Sequence, residues 1–170
     1  YSLRHDAFGM TTYYGSWERR FAKKYRNICP IIMEGGWIVK SHSYWQDPRG
    51  YRKDSHEDGR RGELDDSKEA HVNMMDFRFG DTESWFKDAF DLVRRFLREG
   101  GYRLYPSEIS LPLEVSKKTT PTIKHCWNNM GWGYCPTNIP QWNQKYKVAF
   151  ALLDSETNEV RYTFVDTNTD

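Results

Sequence analysis

Pro30-Ile31-Ile32-Met33-Glu34-Gly35-Gly36 is a short apolar run closed by a carboxylate and two glycines. Without polar alternation, such a run has the pattern of a parallel strand buried on both faces. Glu34 then emerges at the strand's carboxyl end. Upstream, Tyr1 to His5 reads as a strand running into Asp6, and Ser16 offers an N-cap to a helix. Trp17, Phe21 and Tyr25 recur at i, i+4, i+8, an apolar stripe expected to face a sheet. Downstream, residues 37–61 turn polar, with Asp47-Pro48-Arg49-Gly50 and a run of mixed charges from Arg52 to Arg61, simplest as a solvated loop. A short helix over Glu63 to Glu69 leads into the strand Val72 to Phe77. Asp81 or Thr82 caps a long helix whose apolar face holds Trp85, Phe86, Ala89, Phe90, Val93, Phe96 and Leu97, and Gly100-Gly101 stops it. Strands alternating with amphipathic helices predict parallel α/β architecture over the first hundred residues.

Beyond Tyr102 the pattern becomes β. Tyr105 to Leu113, Thr122 to Trp127, Tyr146 to Leu153 and Val160 to Asp166 have strand-like content, and Ser155 to Asn158 reads as a hairpin loop. Four strands make a sheet or half a sandwich, since a sandwich of this kind uses about seven. Two domains follow, 1–100 and 101–170, the second incomplete.

Of the 170 residues, 38% are apolar and 29% charged, a globular composition. Twenty-five Lys and Arg against 24 Asp and Glu leave a formal charge of +1, without the basic excess of a nucleic-acid or anionic-membrane binder. No apolar run approaches the ~20 residues of a membrane span. The opening Tyr1-Ser2-Leu3-Arg4-His5-Asp6 has neither an initiator Met nor a signal-peptide layout, so a soluble piece of a longer protein is expected. Cys29, Cys126 and Cys135 form no C-x-x-C pair; a bridge closing Cys126 to Cys135 is one reading, and two free buried thiols is the favoured one. The histidines are scattered, so no metal site is expected, and no cofactor motif occurs.

Three carboxylates, Asp6, Glu34 and Asp76, fall at predicted strand carboxyl ends, where parallel barrels place their chemistry. Glu34 stands out because the glycines behind it permit close approach and Trp37 follows. The plainer reading is an ion pair with Arg4 or His5 on the neighbouring strand. Arg4 and His5 beside Asp6 can hold a carboxylate and donate to a hydroxyl; the plainer reading of Asp6 is a helix-capping or loop-fixing residue. Asp76 suits ligand binding or a buried pair with Arg78 or Arg103. Among 27 aromatic residues, Tyr13, Trp37 and Trp45 follow strand ends or lie in the long loop, where rings can stack on sugars. Trp17 is expected in the core, as are Trp127, Trp132, Tyr134 and Trp142.

The sequence also resembles a family of bacterial proteins, a domain of unknown function, in which a glycosidase-like TIM barrel runs into a C-terminal β-sandwich. The resemblance is carried by Leu3-Arg4-His5-Asp6-Ala7-Phe8-Gly9 with Thr12-Tyr13-Tyr14, Ile31 to Gly36, Gly100-Gly101-Tyr102-Arg103-Leu104, Trp127 to Gly133 through Pro136, and Val148 to Asp154. It implies that the first three strands are strands six, seven and eight of a (β/α)₈ barrel. Three units at roughly 31 residues need about 94, close to the first hundred here; an open three-unit sheet is the alternative. By position, Glu34 matches the nucleophile of related retaining glycosidases. Their acid/base residue would lie upstream, unless Asp6 substitutes, because retention requires carboxyl groups about 5 to 5.5 Å apart.

The resulting expectation is a glycoside hydrolase with Glu34 and Asp6 catalytic and with Arg4, His5, Tyr13, Trp37, Trp45 and Asp76 on the sugar. Its partners are an oligo- or polysaccharide and the missing N-terminal part of the barrel, and its location is secreted, periplasmic or at the cell surface. A non-catalytic carbohydrate-binding or scaffolding module and a glycan-free interaction domain are the alternatives.

Overall fold

The computed structural model describes residues 2–8, 14–36, 56–77, 82–116, 118–137 and 147–168. They divide into two compact units, Tyr1–Cys135 and Pro136–Asp170. In the first, strands β1 (Leu3–Phe8), β2 (Ile31–Gly35) and β3 (Met74–Asp76) form a parallel sheet in the order β1-β2-β3. Helix α1 (Ser16–Tyr25) connects β1 to β2, and α2 (His56–Glu69) connects β2 to β3. The predicted β-α-β units are therefore present, and the described residues form no closed barrel.

Burial along β2 alternates: Ile31, Met33 and Gly35 are buried, and Ile32 and Glu34 are half-buried. The strand thus packs helices on one face only. On that face Ile31 and Met33 meet Phe8, Tyr14, Ala22, Ala70 and Val72 in one core. Helices α3 (Thr82–Asp88) and α4 (Phe90–Glu99) build a second core, in which Trp85, Ala89, Leu92 and Val93 pack with Leu64 of α2.

Several elements differ from expectation. The cap of α1 is Gly15, whose N–H donates to the Glu18 carboxylate at 2.9 Å, rather than Ser16. Its aromatic stripe does not face the sheet: Trp17 is 61% exposed and Phe21 37%, while Ala22 is the buried residue. The reason lies in the opposite flank, where Arg19 and Lys23 pair with Asp66 and Glu69 and so fix the rotation of the helix. The charged run through Arg61 is not simply a solvated loop, because its end lies within α2 and Arg60 is fully buried. Arg60 packs against the Trp85 ring at 5.9 Å, with Asp88 at 3.8 Å. The long helix is two: Ala89, at φ −144° and ψ 37°, separates α3 from α4. Breaking there buries Trp85, Leu92 and Val93 and leaves Phe86, Phe90 and Leu97 outside.

Beyond α4, Gly101 takes the left-handed φ of +63° that the Gly100-Gly101 stop anticipates. Strands β4 (Leu104–Ser110) and β5 (Lys124–Asn129) pair antiparallel. The following turn presses onto the helix end, where a Cβ on Gly131 would lie 2.1 Å from the Gly101 carbonyl oxygen. Trp132 meets Phe96 edge to face, and its indole N–H donates to the Val72 carbonyl at 2.9 Å. Trp127, expected in the core, sits at the exposed boundary, and Trp142 lies outside the described residues. Cys126 and Cys135 are free, and Cys126 is exposed rather than buried.

In the second unit, β6 (Ala149–Leu153) and β7 (Val160–Val165) form another antiparallel pair. Asp154 closes its turn by accepting from the N–H groups of Glu156 and Thr157, each at 3.0 Å. These amides, with Arg161, hold its carboxyl below the usual range. The four predicted β segments are thus two separate hairpins, not one sheet.

Candidate functional site

The unpacked face of the parallel sheet carries the charges. Side chains alternate along a strand, so Glu34 shares its face with Ile32. The register sets Arg4 opposite Ile32, Met74 opposite Ile32 on the other side, and Asp76 opposite Glu34. Arg4, Glu34 and Asp76 therefore occupy one face, Arg4 level with Ile32 and Met74, and Glu34 and Asp76 two residues nearer the carboxyl end. The guanidinium of Arg4 donates to Glu34 Oε2. The two side chains keep 55% and 20% of their exposure, so the pair is within reach of a ligand from solvent.

Asp6 flanks this pair for a specific reason. His5 pairs with Met33 and Phe8 with Gly35, so two residues of β1, Asp6 and Ala7, stand against the single Glu34. Such a bulge interrupts the ladder and re-aims the chain locally, and bulges are frequent beside functional sites. Asp6 is exposed, and its carbonyl accepts from His5 Nδ1 at 2.6 Å.

His5 itself goes to the other side of the sheet. Its ring lies edge-on to Tyr14 at 5.3 Å and to Phe8 at 6.2 Å, among the helix-side core residues. The structure thus brings Arg4, Glu34 and Asp76 together on the open face, places Asp6 at the adjoining bulge, and separates His5 from them. Tyr13, Trp37 and Trp45 lie outside the described residues.

One contributor was not foreseen. Glu63 of α2 is fully buried, and its Oε1 accepts the Gly36 N–H at 2.7 Å. That bond ties the backbone just past Glu34 to the helix behind the sheet. The Glu63 carbonyl in turn accepts from Ser67 Oγ at 2.7 Å. The signal was present in the sequence: Arg60, Glu63, Leu64 and Ser67 recur at helical spacing, and a charged run can hide a buried polar stripe.

Around the site, titration is shaped mainly by burial. Tyr14 is pushed far above the ordinary phenol value by burial and by the nearby Asp66 carboxylate. Burial likewise raises the thiols of Cys29 and Cys135, which keeps them in the less nucleophilic protonated form. No group of three His, Cys, Asp or Glu capable of holding a metal ion occurs among the described residues. Nor is any helix among them long and apolar enough to cross a membrane.

Chemically, carboxylates offer acceptors to hydroxyl groups, and an arginine offers a planar set of donors. The open face therefore offers both acceptors and donors near the strand ends. The chain matches no family model, no curated protein and no solved structure.

Proposed function

We propose that this chain is a carbohydrate-active protein, a glycoside hydrolase in which Glu34 is the nucleophile and Arg4, Asp6 and Asp76 shape the sugar subsite. The observation that carries the reading is the grouping of Arg4, Glu34 and Asp76 on the unpacked face at the carboxyl end of a parallel sheet. In a barrel this is the end that holds the chemistry. On this reading the three β-α units belong to the C-terminal part of a (β/α)₈ barrel, completed by its N-terminal part, and the hairpins to a partial β-sandwich. A secreted, periplasmic or cell-surface setting goes with such substrates.

In the proposed mechanism, the Arg4 guanidinium orients the Glu34 carboxylate by charge-assisted hydrogen bonding. Glu34 attacks the anomeric carbon, the glycosidic bond to the leaving oxygen breaks, and a protonated acid delivers the proton that the departing hydroxyl needs. Water then hydrolyses the glycosyl-enzyme, restoring both groups. Asp76 stands opposite Glu34 on the adjacent strand, where its carboxylate can accept from a sugar hydroxyl.

Glu34→Gln should abolish more than 99% of glycoside turnover, the ordinary scale for loss of a covalent nucleophile, while circular dichroism and glycan affinity stay unchanged. Retained hydrolysis by that variant would refute the assignment.

The Arg4–Glu34 ion pair favours a second reading, because the same contact can serve structure alone. A non-catalytic carbohydrate-binding or scaffolding module would bind glycans with no bond cleavage in either form. Absence of both binding and cleavage would leave a glycan-free interaction domain.

A further inference from the structure

The flank of α1 that faces away from α2 is a bare aromatic row. Arg19 and Lys23 reach Asp66 and Glu69 of α2, and the Arg26 guanidinium just after the helix donates to the Glu69 carbonyl at 2.9 Å. Ala22 faces the sheet. Helical spacing then puts Trp17 and Phe21 on the remaining flank, away from α2, with Tyr25 at its sheet-side edge. β1 is a strand at the sheet's edge among the described residues.

The rings form a continuous ridge. Trp17 and Phe21 stack on each other at 5.1 Å and 17°, and Phe21 leans on Tyr25 at 4.7 Å. A ridged row of this kind fits the grooves of another helix.

Charge narrows the occupant further. Arg20 and Lys24 are exposed and border the row, with Lys24 also lying over the Tyr25 ring at 5.2 Å. The only carboxylate of α1, Glu18, is engaged at the helix start by Gly15. Two copies of this chain pairing through the row would set these cations against each other. A helix bordered by carboxylates would meet them favourably.

We propose that the α1 flank is a docking surface for an amphipathic helix whose apolar row, bordered by Asp or Glu, lies along Trp17 and Phe21. This is independent of the proposed function, and its test reads no catalysis.

The probes are two synthetic amphipathic helices with the same leucine row, one bordered by Glu and one by Lys, titrated calorimetrically into the 170-residue protein. The Glu-bordered helix should bind at least about tenfold more tightly than the Lys-bordered one. Trp17→Ala, which alters an exposed side chain, should weaken it by about tenfold or more. The double variant Arg20→Glu, Lys24→Glu leaves the rings intact and should invert the preference between the probes. Equal binding of both probes, no binding of either, or an uninverted preference would overturn the proposal. So would a dimer in sedimentation that Trp17→Ala dissociates, because a second copy would then occupy the row.

Discussion

His71 illustrates how one residue can carry both strain and pH dependence. It follows α2 in the left-handed region at φ 56°, where a side chain other than glycine or asparagine is unusual. Burial, reinforced by Arg26, pulls its imidazole below the ordinary histidine value. The folded protein therefore binds this proton less readily than the unfolded chain does. The corresponding stability is fully present above the unfolded value of about 6.5 and is lost as pH falls through it toward the folded value. His71→Asn keeps a residue that tolerates the conformation and removes the titration. Urea unfolding at pH 7.5 and pH 5.5 should show a smaller difference for the variant than for the parent. At this scale Glu34 was legible because its strand-end position follows from the apolar run before it, whereas Asp6, expected just past the end of the first strand, lies inside β1 at the bulge. The buried Glu63 was missed, since only its helical spacing with Arg60, Leu64 and Ser67, and not its residue type, distinguishes it from the solvated acids around it.

Between elements, the turn after β5 is held by contacts that depend on the absence of side chains. Gly133 N–H donates to the Gly101 carbonyl at 2.7 Å, Trp132 N–H to the Glu99 carbonyl at 2.8 Å, and Asn73 Nδ2 to the Tyr134 carbonyl at 2.7 Å. Gly131→Ala would drive a methyl group into the Gly101 backbone, and relief requires the turn to lift off α4. A loss of about 2 kcal/mol or more in thermal or urea unfolding is expected, the scale of overpacking and backbone displacement. The helix pattern was only half legible for a related reason. The apolar arc from Trp85 to Leu97 is continuous in sequence, and only packing against α2 shows that it breaks at Ala89. In α1 the stripe was read correctly as a stripe, but an ion network on the far side decided which way it turned.

For the whole molecule, stability is unevenly distributed. The sheet and its helices bury a core, whereas β6 and β7 leave Leu152, Leu153, Val160, Tyr162, Phe164 and Val165 exposed. A two-stranded hairpin without a packed face has little stability of its own. Hydrogen exchange of the 170-residue protein should accordingly show amides of β6 and β7 exchanging orders of magnitude faster than those of β2. Equal protection would mean that these strands are covered. Alternation of strands and helices made the three-stranded parallel sheet legible in the sequence. Which strands join a common sheet was not, because pairing is settled by long-range contacts that no local pattern encodes. The parallel register has one more consequence, for errors in folding. Sliding β2 by a single position would exchange Met33 for Glu34, turning a charge toward the helices and a thioether outward. Such a slip also takes Glu34 off the face that carries Arg4, so the ion pair proofreads the sheet, marking the correctly threaded chain with a contact that a chain slipped by one position does not make.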